Sequence, residues 1–212
     1  MKAPGDPQRG TFSPLILASA SPRRRELFAR VGIDVEILPA AIAEVPRSGE
    51  KARTFAARMA AEKAIAVAEQ APGRWVIAAD TVVAAGPSGE VILGKPADDA
   101  DARAMLGQLF GSSHRVISAF CLISPDGART SGAGEAEVVM RRASNDEIAG
   151  YVAAGEWRGK AGGYAIQGMA AAFVTEVRGS VTAVVGLPLS EVCVALAEAG
   201  CARPDFRRGI PA

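Results

Sequence analysis

The sequence is poor in the residues that build disulfide frameworks and metal clusters. Histidine occurs once, at His114, and the three cysteines, Cys121, Cys193 and Cys201, are widely spaced with no C-x-x-C pair. A disulfide framework needs an even set of cysteines, and a zinc site needs clustered Cys and His ligands. We therefore expect neither. The cysteines are interpreted as buried fillers in a reducing compartment, and His114 is predicted to have a structural role.

Long apolar runs and an excess of one charge are also missing. No segment approaches the roughly 18 apolar residues of a membrane-spanning helix, and the N-terminal apolar run is too short for a signal peptide. The formal net charge is +1, with 24 basic and 23 acidic residues. A general nucleic-acid binder would show a strong basic excess. We expect a cytoplasmic protein with neither nucleic acid nor a membrane as partner.

The composition that remains is typical of one globular domain. Of the 212 residues, 49% are hydrophobic and 22% are charged. We predict a single domain over residues 13–202, with room for two lobes, and flexible polar tails at residues 1–12 and 203–212. Patterns typical of βα units alternate with hairpin patterns, which predicts an α/β fold with a mixed β-sheet flanked by helices.

Local patterns assign most of the chain to helices and strands. Ser144 followed by Glu147 is a capping box that begins one of the helices. The predicted helices cover residues 22–31, 54–70, 98–110, 144–154 and 188–199. The predicted strands cover residues 15–18, 34–38, 75–79, 81–85, 90–93, 115–124, 134–142, 171–177 and 181–185.

The first strand leads into a feature that indicates anion binding. A small-residue turn from Ser19 to Ser21 follows it, and Pro22 stands at the first helical position. A strand that feeds a helix N-terminus can hold phosphate, because the first N–H groups of a helix are unpaired. Three arginines follow, at residues 23–25, although the helix dipole repels cations there. A bound anion would remove this conflict, and the alternative is a solvated basic patch.

Further along the chain, four charged side chains are candidates for a functional site. Lys63 interrupts the apolar stripe of the second helix, so it either extends to the edge of that face or points into a site. Asp80 and Thr81 follow a buried strand at its carboxyl end, where open α/β sheets place their chemistry. Glu44 lies in a loop, and Lys95 lies in a glycine–proline turn.

Six motifs occur in the order found in the Maf (septum-formation inhibitor) family, and the resemblance covers about residues 14–200. They are SASPRR from residue 19, ADTVV from residue 79, GKP from residue 94, residues 111–117 with His114, GKAGGYAIQG from residue 159 and VGLPL from residue 185. The resemblance implies a nucleoside triphosphate pyrophosphatase with an inosine-triphosphatase-like fold and a central cleft. It also implies a homodimer.

The resemblance assigns roles to particular residues. Asp80 matches the proton acceptor, while Thr81 with Gln167 resembles the branch that acts on dTTP and UTP. A Gln amide has a donor and an acceptor that complement the edge of uracil or thymine. Charge neutralisation of the phosphates falls to the basic and hydroxyl groups. The residues expected to bind substrate are Ser19, Arg23, Arg24, Lys63, Thr81, Lys95 and Gln167.

A divalent cation, Mg²⁺ or Mn²⁺, is the expected cofactor. Glu44 and Asp80 are its candidate ligands, because magnesium typically uses one or two carboxylates together with substrate phosphates. The sequence leaves open whether Asp80 is the base, a metal ligand or both.

Two alternative functions remain at this point. One is a pyrophosphatase of the 7-methyl-GTP branch, which carries a different residue in place of Thr81. The other is a regulator of cell division that binds a nucleotide or nucleic acid without hydrolysing it. Ala165 and Val181 depart from the family pattern near the expected substrate wall, so they bear on base preference.

Overall fold

A computed structural model describes residues 14–86 and 91–208 of the chain. The predicted N-terminal tail, residues 1–12, and the turn at residues 87–89 of the predicted hairpin lie outside the described residues. In chain order the elements are β1 Leu15–Leu17, α1 Pro22–Arg30, β2 Val35–Ile37, α2 Ala52–Ala68, β3 Val76–Ala85, β4 Val91–Leu93, α3 Asp99–Leu109, β5 Ser113–Ile123, β6 Arg129–Met140, α4 Asn145–Ala153, β7 Val174–Gly179, α5 Val181–Val185 and α6 Leu189–Glu198.

The strands form one mixed sheet with helices packed on it. Its order is β2-β1-β3-β5-β6-β7, and β4 pairs separately with β3. β1 runs parallel to β2 and β3, whereas the pairs that β3 forms with β4 and β5, and β6 with β5 and β7, are antiparallel. The predicted α/β fold with a mixed sheet is therefore confirmed. Among the helices of the described residues, none is long and apolar enough to cross a membrane.

The sheet has a gap beside the middle of β3. β5 pairs with one edge of β3 over residues 76–84. The other edge is shared, because β1 pairs with residues 76–77 and β4 with residues 83–85. Within the described part of the chain, no strand pairs with residues 79–82 on that edge. Asp80 and Thr81 lie in this gap, next to the loop that leaves β1.

Alternation along β3 divides the interior into three cores. Residues 76, 78, 82 and 84 face α2 and pack in one core. On the opposite face, residues 77 and 79 belong to a second core, and residues 83 and 85 to a third. Thr81 stands between the second and third cores on that face. A cleft therefore begins where these two cores separate.

The predicted strand at residues 181–185 is wrong, because this segment is the helix α5. Ser180 caps the helix, since its side chain accepts a hydrogen bond from the N–H of Ala183. Gly186, with φ of 132°, ends it. A short apolar run of β-branched residues is compatible with a strand or with a buried turn of helix. The Ser180 cap is the local feature that favours the helix.

Other boundaries differ from the prediction as well. The strands predicted at residues 75–79 and 81–85 are the single strand β3, and β6 begins at Arg129, five residues earlier than predicted. Met169–Ala172 is a 3₁₀ turn, so β7 begins at Val174, three residues later than predicted. The predicted C-terminal tail is anchored at Asp205, whose N–H donates to the carbonyl of Val31 at 2.9 Å, although residues 205–208 are exposed. Arg208 adds an ion pair to Asp34 at 2.6 Å.

Candidate active site

A cavity of about 910 Å³ opens at the gap in the sheet. Its walls come from the loop after β1, the start of α1, α2, β3, the turn after β4, the glycine-rich segment at residues 159–168 and the end of α5. The cavity gathers every residue that the sequence nominates for the site: Ser19, Arg23, Arg24, Glu44, Lys63, Asp80, Thr81, Lys95 and Gln167.

One side of the cavity carries a chain of alternating charges. Lys95 Nζ lies 2.8 Å from Glu44 Oε2, and Glu44 Oε1 lies 2.7 Å from Lys63 Nζ. Lys63 Nζ in turn donates to Asp80 Oδ1 at 2.6 Å. The Lys63 side chain is only 8% exposed. It therefore points into the site, and its burial is tolerated because two carboxylates surround the ammonium group.

The two carboxylates have opposite pKa shifts. Burial raises the pKa of Glu44, but hydrogen bonds from Lys63 and Lys95 outweigh it and lower this pKa to about 2. Burial raises the pKa of Asp80, and the nearby Lys63 and Arg24 only oppose that shift. A carboxylate whose pKa is raised is a stronger proton acceptor. Of the two, Asp80 is therefore the better candidate for a base.

The other side of the cavity is organised by Arg24. Its Nε donates to the carbonyl of Gly186 at 2.8 Å, Nη1 donates to Ser19 Oγ at 2.9 Å and Nη2 donates to Thr81 Oγ1 at 3.2 Å. Ser19 Oγ also accepts from the N–H of Ser21, the N-cap of α1, at 3.2 Å. The guanidinium thus ties the turn after β1 to β3 and to the end of α5.

Arg23 differs from the arginines beside it. Its Nε is buried and has no hydrogen-bond partner among residues 14–86 and 91–208. Burial lowers the pKa of Arg23, and Glu26 and Glu156 oppose that shift. An unpaired buried donor costs about 1–3 kcal/mol. Arg23 also lines the cavity. Arg25 is exposed.

The glycine-rich segment is folded as a tight turn against β3. Gly162 and Gly163 have φ of 67° and 71°, which favours glycine. The N–H of Gly162 donates to the carbonyl of Gly94 at 2.9 Å, so this turn holds the turn that carries Lys95. Gln167 follows in the same segment, with its side chain exposed in the cavity wall.

Sequence reasoning missed several polar residues at or near the cavity. Glu156 accepts hydrogen bonds from Tyr151 Oη and from the N–H of Met169, each at 3.1 Å. Lys160 Nζ donates to the carbonyl of Glu156. Lys160 lies within the glycine-rich motif that begins at residue 159, so the sequence did contain a signal for it. Ser118 is a hydroxyl among the apolar residues in the middle of β5, and the sequence offered no signal for it.

His114 and the two carboxylates are the residues to consider as ligands of a metal ion. His114 is buried and its Nε2 lies 2.8 Å from Tyr164 Oη, and burial lowers its pKa to about 4. In the part of the chain that the structure describes, no group of three or more His, Cys, Asp or Glu side chains is arranged to hold a metal ion. Glu44 and Asp80 nevertheless converge on one cation, the ammonium of Lys63. Such a carboxylate pair suits magnesium, which takes its other ligands from substrate and water.

Comparison with known proteins gives close relatives over most of the chain. A dTTP/UTP pyrophosphatase of Rhodospirillum rubrum is 49% identical over 197 residues, which are 92% of either chain. The dTTP/UTP pyrophosphatase of Cereibacter sphaeroides is 50% identical, over 88% of this chain and 95% of that one. That of Caulobacter vibrioides is 49% identical, over 84% of this chain and 91% of that one.

Solved structures give more distant similarities. A HAM1 protein from Coxiella burnetii has a TM-score of 0.48 and 17% identity, over 87% of this chain and 98% of that one. A nucleoside-triphosphatase, or dITP/XTP pyrophosphatase, from Mycobacterium abscessus has a TM-score of 0.40 and 21% identity, over 62% of this chain and 76% of that one. The profile of the Maf-like protein family matches residues 14–199, and the chain belongs to that family.

Proposed function

We propose that this protein is a nucleoside triphosphate pyrophosphatase that hydrolyses dTTP and UTP to the monophosphate and pyrophosphate. The observation that carries the proposal is the pairing of a buried base candidate, Asp80, with cations on both sides of one cavity. Relatives about 49% identical over most of the chain are named dTTP/UTP pyrophosphatases, which supports the same substrates.

The chemistry requires bound phosphates, neutralised charge and an activated water. The Arg24 guanidinium, with Ser19 and Arg23, provides donors for phosphate oxygens on one wall of the cavity. Lys63 and Lys95 add positive charge from the opposite wall. Asp80 takes the proton from the attacking water, and the Lys63 ammonium at 2.6 Å keeps its carboxylate in place.

We propose Mg²⁺ or Mn²⁺ as the cofactor of this reaction. Glu44 and Asp80 would hold the ion, since both carboxylates line the same cavity. When bound, a divalent cation supplies charge neutralisation on phosphate oxygens. In this proposal Asp80 serves both as a metal ligand and as the proton acceptor.

Thr81 and Gln167 are proposed to select the base. Both line the cavity. Thr81 has a short side chain that leaves room for a pyrimidine, and Gln167 has an amide that can both donate to and accept from the base. We further propose that the enzyme acts in the cytoplasm on free nucleotides and has no nucleic-acid partner.

A panel of triphosphates with Mg²⁺ or Mn²⁺ tests the proposed function. We expect pyrophosphate release from dTTP and UTP, and little from purine triphosphates. Preference for 7-methyl-GTP would contradict the base assignment while leaving the reaction class intact. A protein that binds UTP but releases no pyrophosphate from any triphosphate would overturn the proposal and favour a regulatory role.

A further inference from the structure

Ser118 is a buried hydroxyl that the reaction as described does not use. It lies in the apolar strand β5, has no exposed surface and stands directly opposite Thr81 in the antiparallel pairing with β3. Its Oγ lies 2.7 Å from Thr81 Oγ1 and 2.7 Å from the carbonyl oxygen of Ala183 in α5. Both distances are typical of good O–H···O hydrogen bonds.

The hydrogen-bond inventory fixes the direction of these two bonds. A carbonyl can only accept, so the single hydrogen of Ser118 is donated to Ala183. The Thr81 hydroxyl has two acceptors within reach, Ser118 Oγ at 2.7 Å and the carbonyl oxygen of Gly186 at 3.2 Å. Donation to Ser118 satisfies both 2.7 Å contacts of Ser118 and leaves only the longer contact to Gly186 without a hydrogen, so we assign the hydrogen of Thr81 to Ser118. With its hydrogen directed at Ser118, Thr81 Oγ1 offers lone pairs only. Arg24 Nη2, which can only donate, meets one of them at 3.2 Å.

Ser118 also supports the second acceptor of Arg24. At the end of α5 the N–H groups of Gly186 and Leu187 both donate to the carbonyl of Thr182, and Ser118 donates to that of the next residue, Ala183. This turn carries the Gly186 carbonyl, which accepts from Arg24 Nε at 2.8 Å. Of the three hydrogen bonds that orient the guanidinium, the one to Thr81 involves a direct partner of Ser118, and the one to Gly186 involves the α5 turn next to the residue that Ser118 bonds.

We propose that Ser118 is a positioning residue for the pyrophosphatase reaction. It fixes Thr81 as a hydrogen-bond acceptor and thereby orients the Arg24 guanidinium toward the phosphates of the substrate. This inference rests on the proposed function, since Arg24 is assigned to phosphate binding there. Ser118 does not line the cavity and touches no substrate. Its contribution passes chiefly through Thr81, because the α5 turn is also held by two backbone hydrogen bonds to Thr182, so a variant that removes the hydroxyl of Thr81 should remove most of it.

The test is a double-mutant cycle on kcat/KM for UTP, with Ser118→Ala, Thr81→Val and the double variant. We expect Ser118→Ala to lower kcat/KM about tenfold, the effect of one lost hydrogen bond. In the Thr81→Val background the same change should lower it less than about twofold, because the relay is already broken. Calorimetric binding of α,β-methylene-UTP should weaken in parallel.

Ser112→Ala is the matched control. Ser112 Oγ also donates to backbone carbonyls, those of Gln108 and Leu109 at 2.9 Å, but lies outside the cavity. It should leave kcat/KM unchanged. If Ser118→Ala does not fold, Ser118→Cys replaces it in the cycle, with a smaller loss expected because a thiol is a weaker donor.

The outcomes separate the two proposals. A Ser118 variant with wild-type kcat/KM, or an equal loss in both backgrounds, overturns the role of Ser118 and leaves the proposed function standing. A wild-type protein that releases no pyrophosphate from UTP overturns the proposed function, and the role of Ser118 falls with it.

Discussion

Lys63 lies between two carboxylates, at 2.7 Å from Glu44 and 2.6 Å from Asp80. Buried charges are stable only when paired, and removing one partner leaves the other uncompensated. The lysine in an otherwise apolar helix stripe is thus explained by the carboxylates that face it. It is this residue that fixes the distance between the base candidate on β3 and the loop that carries Glu44.

Asp80→Asn should abolish turnover while the protein stays folded. The amide has nearly the same shape but cannot accept a proton, so we expect kcat for UTP to fall at least about 100-fold. Circular dichroism and steady-state pyrophosphate release measure the two quantities. Asp34→Asn, which changes an exposed carboxylate paired with Arg208, is the control and should retain full activity. Turnover near the wild-type rate in Asp80→Asn would remove Asp80 from the mechanism.

His114 should make the fold less stable at mildly acidic pH. Burial lowers its pKa to about 4 from an ordinary 6.5, so between these values the unfolded chain binds a proton that the folded chain does not. This contribution is fully present above pH 6.5 and is lost as pH falls toward 4. We expect a loss of about 2 kcal/mol in the free energy of unfolding between pH 7 and pH 5.

Urea unfolding at the two pH values measures this loss. His114→Gln replaces the imidazole by an amide, which can also form a hydrogen bond with Tyr164 Oη but does not titrate. The free energy of unfolding of this variant should therefore change much less over the same pH interval. An equal pH dependence in the wild type and the variant would show that other groups are responsible.

At the scale of elements, the glycine-rich turn fixes one wall of the site. A Cβ added to Gly162 would lie 3.0 Å from the side chain of Val83, and its φ of 67° is strained for other residues. We expect Gly162→Ala to lower the free energy of unfolding by at least about 1 kcal/mol. Because Gly162 holds the turn that carries Lys95, KM for UTP should rise as well.

Gly150→Ala is the control for this change. Gly150 lies inside α4, and a Cβ there meets nothing within 4 Å. Alanine in a helix interior should stabilise the protein by up to about 1 kcal/mol and leave KM unaltered. Thermal melting and steady-state kinetics compare the two variants. A Gly162→Ala protein as stable as the wild type would contradict a need for glycine at that position.

Local signals predicted some elements better than others. The capping box of Ser144 and Glu147 begins α4 as predicted, because both of its hydrogen bonds are local to the sequence. The segment at residues 181–185 was predicted as a strand and is a helix, because a short apolar run has no decisive period. What decides it is the Ser180 cap and the packing of the segment beside β5 and β6.

At the scale of the whole molecule, the motifs predicted which residues form the site but not the contacts between them. Residue types at strand ends and helix starts nominated the side chains, and the resemblance gave their expected roles. The alternation of charge from Lys95 to Asp80 depends on the fold, because Glu44 lies in a loop 36 positions before Asp80 in the numbering. The link from Ser118 to Thr81 depends on strand register, which no local pattern specifies.

The gap in the sheet is the feature from which the site follows. Because β1 and β4 share one edge of β3 and leave its middle open, side chains from both faces of the sheet reach one cavity. Asp80 comes from the face that packs on α2, and Thr81 comes from the other. The proposed base and the proposed phosphate-binding arginine therefore line the same cavity.

The identity of the products formed from UTP tests the proposed pyrophosphatase function most directly. Purified protein with Mg²⁺ or Mn²⁺ is incubated with UTP, and the nucleotides and phosphates are separated and quantified. We expect UMP and pyrophosphate in equal amounts, with both lost in Asp80→Asn. UDP with orthophosphate, or unchanged UTP, would contradict pyrophosphate release at this site.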